Sequence, residues 1–206
     1  ILYTWPGTSP CDGTLQACID AAGADDSVEI ATDGPIDEEI LSYGSLDLQA
    51  AFGFTPRFAP GRSITANSAG AADQAIRIQG LTVDGGRIDV NHLLNGGALT
   101  AQILDNVVER SPSGNQAIGV YTNGSGPLVF RIEGNEIEVG TSSPGGVSVL
   151  AVSGYASGDI ERNAIRRIID YSGSGGFGID LYVQDGALVA DVFRNIIDFE
   201  FSEFGV

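Results

Sequence analysis

The string GGFGIDLYV, residues 175 to 183, fits the nonapeptide pattern G-G-x-G-x-D-x-U-x, which holds calcium between successive tandem copies. One copy is present, and its nearest relative, GGRIDV at 85 to 90, has lost the spacing. Asp180 therefore reads as an outward residue on an ordinary strand; no cofactor is expected, and calcium is the one candidate. His92, in DVNHLLNGG, is the single histidine. It has the chemistry of a general base but no identifiable partner, so it reads as a surface or turn residue. One histidine and two cysteines cannot build a zinc site. Cys11 and Cys18, close together in the chain, either form a disulfide that pins the start of a helix or stay as two buried thiols. Arg162, Arg166, Arg167 and Arg194 gather basic charge in one stretch. Asp159, Glu161, Asp191 and Asp198 are near enough in sequence to turn them into a surface ion-pair network. The alternative is a site for an acidic glycan or for a neighbour's acidic surface. No phosphate loop, nucleophile elbow or dinucleotide fingerprint occurs.

The elements that must position these residues follow from a repeat. Asn106, Asn135, Asn163 and Asn195 recur at nearly even intervals, the steps being 29, 28 and 32. Three positions before each stands Ile103, Ile132, Ile160 or Val192, and two positions after it Val108, Ile137, Ile165 or Ile197. This alternation is that of strands with one buried face. Each asparagine falls at a bend between two strands, where it tolerates a left-handed conformation and can bond to an identical amide one coil away. A further strand with Gly-rich turns lies between successive asparagines: QAIGVYTNGSG, GGVSVLAVSG and GFGIDLYVQDG. Three short strands per coil with a period of about 30 predict an all-β fold, a right-handed parallel β-helix of about six or seven coils.

These motifs resemble the parallel β-helix repeats of the pectate-lyase-like superfamily. The resemblance covers regular coils from 76 to 206 and looser first coils over 28 to 75, in a single domain spanning 1 to 206. It implies that functional residues lie on the outer face of the strand preceding each asparagine-bend pair. In this chain that face carries Asp89, Asn91, Tyr121, Asp180 and Tyr182, with Ser148 and Leu150 between them. Carboxylates beside tyrosines suit a sugar: acids accept hydroxyl hydrogen bonds and rings cover apolar sugar faces. Asp89 and Asp180 stand three coils apart, roughly 14 Å, which is too far for a glycosidase pair. The Asn-Thr-Asp, paired Asp-Asp and Gly-His-Gly strings of the related polygalacturonases are missing. A lyase would need acids that hold calcium beside a basic proton acceptor, and no acid cluster aligns with an arginine here. The string from Cys11 to Pro35 is similar to the opening of many secreted bacterial β-helix repeat proteins, which implies export.

Composition sets the outer bounds. With 206 residues and 43% hydrophobic content the chain can bury a continuous core, and its 29 glycines sit at turns between regular apolar strings. The net charge is −17, and all ten basic residues are arginine. Such a surface repels nucleic acid and anionic membranes, and no apolar run is long enough to span a bilayer. TLQACIDAAG has Leu15, Cys18, Ile19 and Ala22 at helical spacing, Thr14 as an N-cap and Gly23 as a stop, so 11 to 23 predicts a helix that covers the open end of the stack. The opening string reads as a mature product or a fragment. At the other end Ile197, Phe199 and Phe201 alternate with no following helix, so this end reads either as cut from a longer protein or as covered by another molecule, with end-to-end assembly of further copies as one case. The chain thus reads as an exported or cell-surface binding or structural module, adhesin-like, with a polysaccharide lyase or glycoside hydrolase as the alternative. Glycans and its own copies are the expected partners.

Overall fold

The computed structural model describes residues 1–68, 70–93, 97–111, 115–139, 145–169 and 177–201; the side chains of 167–169 and 199–201 fall outside the description. The backbone is the expected parallel β-helix. Three parallel sheets run along its axis, with eight, seven and six strands. The first sheet holds the strands that precede each asparagine, from Leu2–Trp5 through Leu99–Leu104 to Ala187–Phe193. The second holds the short strands that follow, from Pro35–Ile36 to Ile196–Phe201, and the third runs from Ile40–Tyr43 to Phe177–Val183. Six coils pass through all three sheets, and a seventh enters the first two.

Coil length explains why the early part of the sequence looked irregular. Asp47 pairs with Ser27, Arg77 with Asp47 and Gln102 with Arg77, so the early coils differ in length from one to the next. The strands stay in register because the variation is confined to the corners. Inward residues then stack in columns, such as Ile78, Ile103, Ile132 and Ile160, each at 0% exposure. Burial of these columns is the dominant favourable term for such a rod.

The bends carry a correction. The left-handed residue is the one before each asparagine: Asp105 (φ 53°), Gly134 (φ 68°), Arg162 (φ 55°) and Arg194 (φ 56°), with Gly80 (φ 72°) one coil earlier. The asparagine itself turns inward. Asn106 Nδ2 donates to Asn135 Oδ1 (3.1 Å), Asn135 Nδ2 to Asn163 Oδ1 (2.9 Å) and Asn163 Nδ2 to Asn195 Oδ1 (2.9 Å). The same oxygens accept the backbone N–H groups of Asn106, Asn135 and Asn163. Each Nδ2 also donates to a carbonyl of the preceding coil, as Asn135 does to Ile103 (2.9 Å). Buried backbone groups at the bend need partners, and the amide supplies them. At Leu81 the ladder ends: its N–H donates to Asn106 Oδ1, and its own side chain is apolar and buried.

At the amino end the helix spans Leu15–Ala21 with Leu15, Cys18 and Ile19 buried. Thr14 is its N-cap, its hydroxyl accepting from the Ala17 N–H at 3.1 Å. Gly23 is not the stop; Ala22 leaves the helix in an extended conformation. Cys11 and Cys18 form a disulfide with Cα atoms 4.5 Å apart. Two distant groups complete this cover. Glu38 accepts the N–H groups of Leu15 (2.9 Å) and Gln16 (3.0 Å), favourable for a carboxylate at a helix start. The Gln16 amide donates to Leu41 O (3.0 Å) and accepts from Leu41 N (2.9 Å), so it pairs with the edge strand of the third sheet as another strand would. No described helix is long and apolar enough to cross a membrane.

Candidate functional site

All five residues expected on the outer face lie on the third sheet, in two adjacent rows. Register places Thr65, Asp89, Gly119, Ser148 and Asp180 in one row. The other runs Tyr43, Asn67, Asn91, Tyr121, Leu150 and Tyr182. Side chains one strand apart along a row sit about 4.8 Å from each other. Tyr121 and Tyr182 thus flank Leu150 about 10 Å apart, and Asp89 stands about 14 Å from Asp180. The structure gathers the five on one surface and leaves the two carboxylates beyond the reach of either glycosidase geometry.

The face has local chemistry of its own. Asn91 Nδ2 donates to Asn67 Oδ1 at 2.9 Å, a short ladder on the outside of the rod. Asp89 is buried although it points outward, and Arg87 Nε reaches its Oδ2 at 2.6 Å. Burial pushes the Asp89 carboxyl above its ordinary range, and the Arg87 charge offsets only part of that. Gly119 is the reason Asp89 can lie down: any Cβ at 119 would collide with Gln116 Nε2 and Asp89 Oδ1. Gln116, with Ser148 and Asp180, also lines a hollow of about 60 Å³ at the strand entrance. Neither Gly119 nor Gln116 stood out in the sequence; a glycine at an outward position inside an apolar strand was the available signal.

Other candidates resolve differently. His92 is buried, which corrects the surface reading. Its Nε2 lies 3.0 Å from the Gly97 carbonyl, which can only accept, so Nε2 carries the proton and Nδ1 faces the Thr122 hydroxyl at 3.1 Å. It had partners that no local pattern revealed, Thr122 lying a full coil away in the chain. Gly175 and Gly176 of the nonapeptide string lie outside the described residues, and Asp180 is on the outer face of its strand. Among the described residues no three His, Cys, Asp or Glu side chains are arranged to hold a metal.

The arginine stretch forms ion pairs. Arg162 contacts Glu133 and Glu161, and Arg131 contacts the same two acids. Glu161 was expected there; Glu133, one coil earlier, was not. Arg194 lies over the Phe193 ring, 5.9 Å from its centroid, and Arg166 pairs in register with Glu138 and Asp198. Arg167 has its side chain outside the description.

At the last coil burial falls away: Ile137 and Ile165 are 2% exposed, while Ile197 in the same column is 42% exposed. The backbones of Phe199 and Phe201 continue that strand, and their side chains lie outside the described residues. Comparison of the chain with protein-family models, with curated proteins and with solved structures finds no match.

Proposed function

We propose that the chain is an exported, non-catalytic β-helix module that binds a glycan along the outer face of the third sheet. The observation that carries this is the row Asn91, Tyr121, Leu150 and Tyr182, exposed or half-buried and repeating at strand spacing. Rings at that repeat suit the apolar faces of successive sugars, and the neighbouring Asp89, Ser148 and Asp180 offer acceptors for their hydroxyls. The disulfide supports an oxidising compartment and hence an extracellular or cell-surface place. A tie to the pectate-lyase-like superfamily belongs to this proposal and rests on the three-sheet coil and the asparagine ladder. Titration of neutral and acidic polysaccharides by calorimetry tests it. Saturable binding without turnover, lost in Tyr121→Ala, is the expected result; release of reducing or unsaturated ends would replace the binding module with a carbohydrate-active enzyme.

A second reading, self-association through the last coil, is favoured by the exposure of Val192 and Ile197, whose column neighbours are buried. Light scattering over a wide concentration range separates the two: a mass that stays at one chain removes self-association and leaves the glycan face untouched.

A further inference from the structure

A groove of about 250 Å³ lies on the outer face of the first sheet, its polar lining including Asp25, Asp26, Ser27, Asp47, Arg77 and Gln102. Ser27, Asp47, Arg77 and Gln102 occupy one row across four neighbouring strands. Two of them carry an unmet bonding demand. Among the described residues, Asp47 Oδ1 and Arg77 Nε are the buried side-chain polar atoms with no hydrogen-bond partner. Buried polar groups are nearly always satisfied, so a pair of orphans in one groove calls for a cause.

The surroundings say what would satisfy them. Ser27 Oγ donates to Asp47 Oδ2 at 2.6 Å, which fixes the carboxylate and leaves Oδ1 toward the arginine. Arg77 Nη2 donates to Gln79, which holds the other side of the guanidinium. Arg77 Nη1 and Asp47 Oδ1 stay 3.9 Å apart, an ion pair without a hydrogen bond. A missing group must therefore donate to a carboxylate oxygen and accept from a guanidinium N–H. An anion would accept from Arg77 but be repelled by Asp47 and by Asp25 and Asp26 on the same lining, and an ammonium has no lone pair with which to accept from Arg77 Nε. A neutral hydroxyl does both. Thr100 and Gln102 at the rim offer a hydroxyl and an amide to a second and third hydroxyl, and Ala75 supplies an apolar wall. The two side chains remain 30% and 38% exposed and both line the groove, so the orphan atoms lie just behind its surface.

We infer that this groove is a subsite for a neutral polyol, one sugar unit with adjacent hydroxyls, clamped between Asp47 and Arg77. It lies on a different sheet from the tyrosine row and does not rest on the function proposed above.

The test is a titration of the ¹⁵N-labelled chain with glucose, galactose, mannose and xylose, with glucuronate and glucosamine as charged controls. At least one neutral sugar is expected to give saturable shifts in the amides of residues 75–77 and 100–102 and in the Arg77 Nε–H signal. Asp47→Asn and Arg77→Gln are each expected to weaken that binding about tenfold, the scale for a lost hydrogen bond to a charged group. Gln102→Ala, at the rim, serves should either variant fail to fold, with an expected loss of a few fold. Tyr121→Ala is expected to leave all these shifts unchanged. Absence of saturable shifts up to the solubility limit, equal affinity for a charged control, or unchanged affinity in the folded variants would overturn the subsite and leave an ordered water as the bridging group.

Discussion

Two polar rows run along this rod, and they differ in nearly everything but their repeat. Asn106, Asn135, Asn163 and Asn195 line the bend between the first two sheets; the first three are at most 1% exposed. Asn91, Tyr121, Leu150 and Tyr182 line the outer face of the third sheet and reach solvent, Tyr182 being 52% exposed. In the first row every amide is used: Asn135 alone bonds Asn106, Asn163, Ile103 and Glu133. In the second, the Asn91 to Asn67 bond is the one described side-chain link. A repeat thus shows where a row runs, and burial shows whether the fold depends on it.

Substitution in the buried row should have the largest effect. Asn135→Ala would leave the Asn106 N–H and one hydrogen of Asn106 Nδ2 without their partner inside the rod, and would remove the bond that Asn135 makes to the Ile103 carbonyl. At about 1–3 kcal/mol for a buried unsatisfied group, partly relieved by water, a loss of about 3–5 kcal/mol is expected in urea unfolding. A loss below about 1 kcal/mol would mean that the ladder is incidental. Asn195→Ala removes the same bonds from Asn163, but Asn195 is only partly buried and its released partners can meet water. About 1 kcal/mol is expected there. If the two losses were equal, burial would not be what separates the rows.

The ladder was legible because one residue type recurs at a nearly constant spacing. The bend geometry was not, since Asp105, Gly134, Arg162 and Arg194 share a backbone conformation and no side-chain chemistry. The cover at the amino end was half legible. Its apolar stripe of Leu15, Cys18 and Ile19 is local, whereas Glu38 and the Leu41 edge reach the helix from the next coil, far along the chain. For the outer face, counting from the asparagines sufficed to align Asp89 with Asp180 and Asn91 with Tyr182. The floor at Gly119 escaped notice because a glycine among 29 carries little signal until its neighbours in space are known. Asp47 and Arg77 were hidden by the uneven length of the early coils, which no single period would register.

One carboxylate beside the exposed row has an environment closer to that of the buried row. Burial raises the Asp89 carboxyl above its ordinary value of 3.8, so folding disfavours the ionised form despite Arg87. Below 3.8 the group is protonated in both folded and unfolded chains and carries no penalty. As pH rises through its folded value, stability is lost. Asp89→Asn should therefore match the native chain in strong acid and exceed it at neutral pH, by less than the Asn195 effect. Asp84 provides the opposite sign. Burial raises it, but hydrogen bonds from Arg110 and Arg57 outweigh that and hold it below 3.8. Its contribution is present above 3.8 and disappears as pH falls through the folded value, so Asp84→Asn should be destabilising at neutral pH. Urea midpoints measured from strong acid to neutral pH would read both; equal slopes in the two variants would contradict the assignment.

The smallest stability effect is expected where the proposed function is concentrated. Tyr182 is half exposed on the outer face of its strand, so Tyr182→Ala should change unfolding free energy by no more than about 0.5 kcal/mol. Glycan affinity should fall by about tenfold or more, because a ring that covers a sugar face contributes through its own contact area. These two readouts together decide what the exposed row does. A large stability loss would make Tyr182 part of the framework, like Asn135. Unchanged stability with unchanged affinity would remove the tyrosine row from binding and leave its regular spacing as a by-product of the coil repeat.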